Sequence, residues 1–463
     1  MTNPFGFCHD SVLHFIGIGG IGMSALALVA HDWGYSVQGS DACVSPIVQT
    51  LRGRGIPVAL GHDADNVQNA DVVVYSNAIR NDNIELRSAI SAGKHVLRRI
   101  ELLSKVLGTK RTVIVSGSHG KTTTTGMIAS IMEHAAMDPT IFIGGIALSY
   151  GSNYKVGTGE WAVVEGDESD ASFTTIPCEI AVVTNLEWEH PDRYRCFEEL
   201  EEVFSDFLHN VKVGGAAIIP SGLSPALDKG VSCDKVVHGL YSGDFLATNV
   251  AYVGGTTVFD VVGSSGAKFC CDVKLPVPGR HNVENALAAV AATRQLGIDF
   301  GVIKSGLENF MGVGRRFEII ANVRGVTFID DYAHHPTEIE ATKDAAALFA
   351  EGRVIGVLQP HRFTRVKHCF AGFVRAISKF DYMVLTDAYS AGEETIAGCG
   401  SPDIICAVKS LGFDQVVHAS DPGAIADIIG TIAKPGDVVV AMGAGSITSI
   451  IRSVVDAYTT CSA

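Results

Sequence analysis

The sequence predicts an α/β protein of three domains, each built on a mostly parallel sheet. Three observations carry that prediction. Short apolar, β-branched runs alternate with amphipathic stretches along the whole chain. Two glycine turns each lead such a run into a helix-like stretch. Breaks at Leu107-Gly108-Thr109-Lys110 and at Gly312-Val313-Gly314 divide the 463 residues into portions 1–108, 109–312 and 313–463.

Composition agrees. Hydrophobic residues make up 47% and charged residues 18%, enough for several buried cores. The net charge of −15 argues against nucleic acid or an anionic membrane as partner, so an anionic ligand must be held by local cations. Eleven cysteines without C-x-x-C spacing read as free thiols in a reducing compartment. Residues 11–30 are uncharged, but Gly17, Gly19, Gly20 and Gly22 interrupt them. They predict a buried strand, a turn and a helix rather than a membrane span or export signal, and a cytoplasmic location.

In the first domain, LHFIGI (13–18) is the opening strand. Gly17-Ile18-Gly19-Gly20-Ile21-Gly22 fits G-x-G-x-x-G and precedes a helix over Met23–Trp33. Asp41 follows about 20 residues further on, near the end of the next strand, as in a Rossmann-like domain. The physical content is a diphosphate at a helix N-terminus and an acid for a ribose. NAD and a uridine diphosphate satisfy it equally, and a tight turn packed on glycine is the plainer alternative. DVVVYS (71–76) is a further strand.

In the second domain, TVIVSG (112–117) runs into Gly117-Ser118-His119-Gly120-Lys121-Thr122-Thr123 and a helix over Thr124–His134. Strand, glycine turn, lysine, hydroxyl and helix make a triphosphate cradle of P-loop type. Backbone N–H groups close on phosphate oxygens, Lys121 adds a point charge, and Thr122 can ligate Mg²⁺. The two glycines stand closer together than in a standard P-loop. EWAVVEGDESDASF (160–173) and VVTNLEWEHPDRY (182–194) then place acids at the ends of two strands. Of Glu165, Asp167, Glu168, Asp170, Glu187, Glu189, His190 and Asp192, the expected site residues are Glu165 and His190. Most of the other acids read as solvated loop. AAIIP, TTVFDVV and KFCCDVKL, within 213–275, predict an antiparallel patch. In PGRHNVENALAAVAA (278–292), Asn282 and Asn285 lie one helical turn apart. They can read a purine edge, or simply cap the helix and form its polar face.

In the third domain, Arg315 and Arg316 precede VTFIDD (326–331), which leads through Tyr332, His334 and His335 to a helix over Thr337–Glu351. RVIGVLQ (353–359) leads to His361, Arg362 and Arg365, and YMVLTD (382–387) and DVVVAMG (437–443) add strands. Arginines and histidines at strand ends make an anion-binding patch, with a surface ion-pair cluster as the alternative.

Taken in order, GIGGIGMS (17–24), GSHGKTT (117–123), EGDESDASF (165–173), GRHNVEN (279–285), DDYAHHPTEI (330–339), QPHRFTR (359–365) and MGAGSI (442–447) resemble the Mur ligases, in their alanine-adding branch. The resemblance spans essentially the whole chain. It implies a Rossmann-like UDP-sugar domain, a central P-loop ATPase-type domain with a small antiparallel patch, and a Rossmann-like C-terminal domain that receives the amino acid. It implies an ATP- and Mg²⁺-dependent ligase of peptidoglycan precursor synthesis, monomer or homodimer, with UDP-N-acetylmuramate and L-alanine as substrates.

Residue by residue, the resemblance implies ATP at Gly117, Ser118, His119, Gly120, Lys121, Thr122 and Thr123, with Asn282, Asn285 and Arg316. It implies Mg²⁺ at Thr122, Glu165 and His190. The UDP-sugar falls to Gly17, Gly19, Gly20, Gly22, Asp41 and Ser76, with His361 at its activated carboxylate. The alanine falls to Tyr332, His334 and Arg365. Lys121, Glu165, His190, His334, Arg362 and Arg365 are the implied catalytic set. The chain departs from the pattern at Ser118 (usually threonine), at Glu189 (usually aspartate) and at Pro191. Between Arg195 and Asn210 it has no lysine, where some relatives carry a modified lysine as metal ligand. The alternatives are a murein-peptide recycling ligase on the same sugar and an NAD-dependent oxidoreductase built on 1–108, which leaves the second glycine turn unexplained.

Overall fold

The computed structural model describes residues 5–108, 110–169, 171–191, 193–224, 227 and 230–460. Thr109, Asp170 and Asp192, named above, lie outside the described residues. The apolar runs become strands, and they assemble into three sheets.

The first sheet holds β1 (Val12–Ile16), β2 (Ser36–Asp41), β3 (Val58–Leu60), β4 (Val72–Tyr75) and β5 (His95–Arg98) in the order β3-β2-β1-β4-β5. All pairs are parallel, and the order reverses between β1 and β4, where such sheets open a ligand crevice. Leu13 and Phe15 enter the core on one face of β1 and Ile16 that on the other. The uncharged N-terminal segment is a strand, a turn and the helix Ile21–Asp32, buried from Met23 to Ala30. Among the described residues no helix is long and apolar enough to cross a membrane.

The second sheet has ten strands: β6 (Arg111–Ser116), β7 (Thr140–Ala147), β8 (Ser152–Lys155), β9 (Trp161–Glu165), β10 (Cys178–Val183), β11 (Val211–Pro220), β12 (Asp234–Gly239), β13 (Phe245–Val253), β14 (Thr256–Gly263) and β15 (Lys268–Leu275). The order is β15-β14-β13-β12-β11-β10-β6-β9-β7-β8. The antiparallel patch is β13–β15, continuous with the main sheet. AAIIP is not part of it: it lies in β11, parallel to β10. Ala216, Ala217, Ile218 and Ile219 are all buried, as in a strand covered on both faces. A second antiparallel pair, β7–β8, had no expectation attached to it.

The third sheet comprises β16 (Glu318–Val323), β17 (Val326–Asp331), β18 (Val354–Leu358), β19 (Tyr382–Leu385), β20 (Val416–His418) and β21 (Val438–Met442). Its order is β16-β17-β21-β18-β19-β20, parallel apart from the β16–β17 hairpin. The segment before it is hydrogen-bonded to the end of β7: Leu148 N donates to Gly312 O at 3.2 Å and Gly314 N to Ile146 O at 2.8 Å. That anchorage delivers Arg316 to the second glycine turn, while the Arg315 guanidinium turns back to Gly443 O of the third unit.

Candidate active site

Neighbouring parallel strands end at one edge of a sheet. In the second sheet β10, β6 and β9 are adjacent, so the residues that follow them share one crevice. Gly117 has φ +143° and Gly120 φ +79°, backbone that glycine alone adopts cheaply. A Cβ at Gly120 would also collide with the Asn285 amide. Lys121 opens the helix Lys121–His134. Its Nζ donates to Gly117 O (2.7 Å) and Ser118 O (3.0 Å) and pairs with Glu168 Oε2 at 2.7 Å. Burial opposes its charge, but Glu168 outweighs burial and holds the ammonium above the ordinary lysine range. The Thr122 hydroxyl donates to Glu165 Oε1 (2.9 Å), and Gly144 N donates to Glu165 Oε2 (2.6 Å). Arg316 donates to Thr122 Oγ1 at 3.3 Å, across from the third sheet. The Ser118 hydroxyl bonds Glu187 O and Glu187 N, both at 2.8 Å, and so ties the turn to the loop after β10.

Two acids near the turn are not solvated. Glu168 is 2% exposed and Glu189 6%. Glu168 joins Lys121 to His190, whose Nε2 lies 3.3 Å from Glu168 Oε1. Glu189 lies between His190 (3.9 Å) and the guanidinium of Arg365 (4.0 Å). Burial works against a charged His190, but Glu168 prevails and raises its pKa. Glu165 therefore pairs with Thr122, while His190 groups with Glu168 and Glu189, whose ligand atoms all lie within 4.8 Å of one another.

A cavity of about 420 Å³ lies between this crevice and the third unit, lined by Gly120, Asn282, Asn285, Phe310, Arg316 and Glu338 among others. That is a volume for a drug-sized ligand. Asn282 spends its amide on neighbours: Nδ2 donates to Pro278 O (2.6 Å), and Oδ1 accepts from Asn285 Nδ2 (3.1 Å). His281, which the sequence did not single out, also lines the cavity, and burial pushes its pKa down to about 4.

The third unit brings most of its predicted residues together. Arg315 and Arg316 lie over the Tyr332 ring at 4.7 and 4.8 Å. The His334 ring meets Tyr332 and His361 edge-on at 5.3 and 6.0 Å, and His361 stacks on Tyr389 at 5.5 Å. Arg365 Nη1 is 3.2 Å from His361 Nδ1. Burial drives His334 well below the ordinary histidine value and His361 to about 4, so both rings are neutral. Arg362 is placed differently: its Nε points to Glu393 of its own unit at 3.9 Å.

One bridge went unread in the sequence. His119 Nε2 lies 2.9 Å from Glu187 Oε2, and its Nδ1 lies 3.1 Å from Glu338 Oε1 of the third unit. Thr337 Oγ1 donates to Glu187 Oε1 at 2.9 Å. Burial disfavours the imidazolium, but Glu338 and Glu187 overcome it and raise the His119 pKa to about 10.

The first glycine turn is built otherwise. Gly17 N and Ile18 N both donate to Ser40 O at 2.9 Å, and Gly19 N donates to Asp41 Oδ2 at 2.8 Å. Asp41 therefore holds the turn itself. Ser76 follows β4, the neighbour of β1, on the same edge. Arg99, missed in the sequence, stands over the turn: a Cβ on Gly22 would lie 3.1 Å from its Nη1. His361 lies with the third-unit set, remote in sequence from this turn.

Comparison with known proteins agrees with this architecture. Three family descriptions match in chain order: the Mur ligase catalytic domain over residues 12–111, the Mur ligase middle domain over 115–293, and the Mur ligase glutamate ligase domain over 315–445. The UDP-N-acetylmuramate–L-alanine ligases of Mesorhizobium japonicum and Brucella anthropi are each 42% identical over 445 residues. The match covers 94% of this chain and 96% and 95% of theirs. Among solved structures, the UDP-N-acetylmuramate–alanine ligase of Thermotoga maritima superposes with a TM-score of 0.83 at 29% identity, covering 97% of this chain and 99% of that one. A murein peptide ligase from Psychrobacter arcticus gives 0.73 at 25%, covering 98% and 100%. With all three sheets matched and identity well above the level of a shared fold alone, the chain belongs to the Mur ligase family.

Proposed function

We propose that this protein joins L-alanine to the lactyl carboxylate of UDP-N-acetylmuramate, consuming ATP, in the cytoplasmic synthesis of peptidoglycan precursors. One observation carries the reading. Cations of the third unit meet the acids and hydroxyl around the second glycine turn, through Arg316 on Thr122 and Arg365 facing Glu189. Residues 1–108 take the UDP-sugar, 109–312 the ATP and 313–463 the amino acid.

Lys121 and the helix N-terminus hold the phosphate chain, and the cavity beside Asn285 takes the nucleoside. Thr122 with Glu165, and Glu168 and Glu189 with His190, are oxygen-rich groups suited to Mg²⁺. An ion there would offset charge on the phosphoryl oxygens. A lactyl carboxylate oxygen attacks the γ-phosphorus, ADP leaves, and an acyl phosphate remains. The alanine amine attacks its carbonyl carbon, and the tetrahedral intermediate expels phosphate and loses a proton. His334 Nδ1 lies 2.9 Å from the Tyr332 carbonyl, which only accepts, so Nδ1 carries the hydrogen and Nε2 keeps its lone pair. That neutral Nε2 is the acceptor for the amine proton. Arg365 holds the alanine carboxylate. Closure of the third unit keeps water from the acyl phosphate.

The test is phosphate release with ATP, Mg²⁺ and UDP-N-acetylmuramate while the amino acid is varied. Release should require all components and be fastest with L-alanine. Release indifferent to the sugar or to the amino acid would end the proposal.

A further inference from the structure

We propose that the joint between the second glycine turn and the third unit is a transition-metal site, formed by His119, Glu189 and His335 with Glu187 as fourth ligand, for an ion of the zinc class. Ligand atoms of His119, Glu189 and His335 lie within 4.8 Å of one another. Glu187 Oε2 lies 2.9 Å from His119 Nε2 and 3.8 Å from His335 Nδ1. A tetrahedral zinc with bonds of about 2.0–2.1 Å sets its ligand atoms about 3.4 Å apart, so small side-chain rotations close the shell.

Two atoms independently point to a ligand. His335 Nδ1 and Glu189 Oε1 are buried and have no hydrogen-bond partner among the described residues. Their residues are 5% and 6% exposed. A buried unsatisfied polar atom costs roughly 1–3 kcal/mol, and a cation between these two satisfies both. The far sides of the rings are already fixed. His335 Nε2 faces Cys369 Sγ at 3.4 Å, and His119 Nδ1 faces Glu338 at 3.1 Å. Such outer partners orient metal-binding imidazoles.

The site shares Glu189 with the group proposed for Mg²⁺ and differs from it in holding two imidazoles, from His119 and His335. Two imidazoles with carboxylates suit Zn²⁺, Co²⁺ or Ni²⁺, whereas Mg²⁺ prefers oxygen. On binding, the metal replaces the proton on His119 Nε2, which leaves to solvent. Because His119 sits on the turn and His335 in the third unit, a bound ion ties the two together. It also draws Glu189 from Arg365, so occupancy slows turnover.

The experiment uses the full chain, stripped of metal and then held in excess Mg²⁺, and titrated with Co²⁺. One Co²⁺ per chain with the intense visible bands of a tetrahedral site is expected. His335→Gln and Glu189→Asp should each weaken it by about 10–100-fold, while His190→Gln leaves the spectrum intact. Thermal unfolding of each variant separates lost ligation from lost folding. Absence of Co²⁺ binding, a weak octahedral spectrum, or binding abolished by His190→Gln and retained by His335→Gln would each overturn the site. Alanine-dependent phosphate release measured in parallel without Co²⁺ reports on the proposed activity separately.

Discussion

The two glycine turns look alike in sequence and are supported in opposite ways. Both follow a strand inside a sheet and open a helix. The Gly17–Gly22 turn rests mainly on its own unit, with one uncharged bond from the second, Asn153 Nδ2 to Ile21 O. Ser40 O takes two of its N–H groups, and the Ser40 hydroxyl donates to Glu85 at 2.6 Å. Glu85 is 0% exposed, and it also receives Asn66 at 2.5 Å and meets His62 at 2.9 Å. The Gly117–Lys121 turn is held instead from two units. Glu168 and Glu187 approach from the second, and Arg316 and Glu338 come with the third. In the proposed function the first turn is a rigid mount for the UDP-sugar, and the second is a charged junction between two units.

The largest effect should come from removing the charge at the junction. Lys121→Ala should lower kcat by at least ~100-fold, the scale of losing one preorganised charge-stabilising group. UDP-sugar affinity should stay within about twofold, less than 0.5 kcal/mol. Steady-state kinetics and calorimetric titration check both. A matching loss of UDP-sugar affinity would show that the turns are not independent.

Next comes the rigid mount. Glu85→Gln keeps the shape and removes the charge that strengthens the bonds from Ser40 and Asn66, each worth about 1.5–3 kcal/mol when charge-assisted. The first turn then loses definition, and the KM for the UDP-sugar should rise about tenfold, equivalent to roughly 1.4 kcal/mol. The kcat should hold within about twofold, because no chemistry is routed through this carboxylate. Equal falls in kcat and in kcat/KM would break the contrast between the turns.

What the sequence disclosed follows the same division. The second turn was legible because its glycines, Lys121 and Thr122 are consecutive, so local geometry fixes their relation. The resemblance carried His334, His361 and Arg365, which do converge. Glu168 and Glu189 were hidden because burial depends on what covers a loop, here Lys121 and the third unit. The His119–Glu338 contact joins positions 219 apart, and no local pattern reports such a pair. Arg99 was hidden likewise, since it serves a turn far upstream. AAIIP shows a related blind spot. A buried apolar run looks the same whether its neighbour is parallel or antiparallel, and pairing with β10 made it parallel.

The smallest expected effect is also the most diagnostic, because pH should loosen the two turns in opposite directions. Glu85 titrates at about 2 against an ordinary 4.5: burial raises it, but the bonds from His14, Ser40, Asn66 and His62 win. A depressed carboxyl stabilises fully above its unfolded pKa, and that share is lost as pH falls from 4.5 toward 2. His119 titrates at about 10 against 6.5, so its share is complete below 6.5 and is lost as pH rises through about 10. Acid should therefore release hydrogen-exchange protection first around Ser40 and Glu85, and alkali first around His119 and Glu338. His119→Gln should flatten the alkaline limb alone and Glu85→Gln the acid limb alone, each by about 2–4 °C in Tm per kcal/mol. The alkaline limb has a partner check. If His119 is held cationic by Glu338, then Glu338→Gln must flatten the same limb, although Glu338 itself carries no proton there. An alkaline limb that survives both substitutions would mean that the junction is held by packing rather than charge, and the contrast between the two turns would fail at its central point.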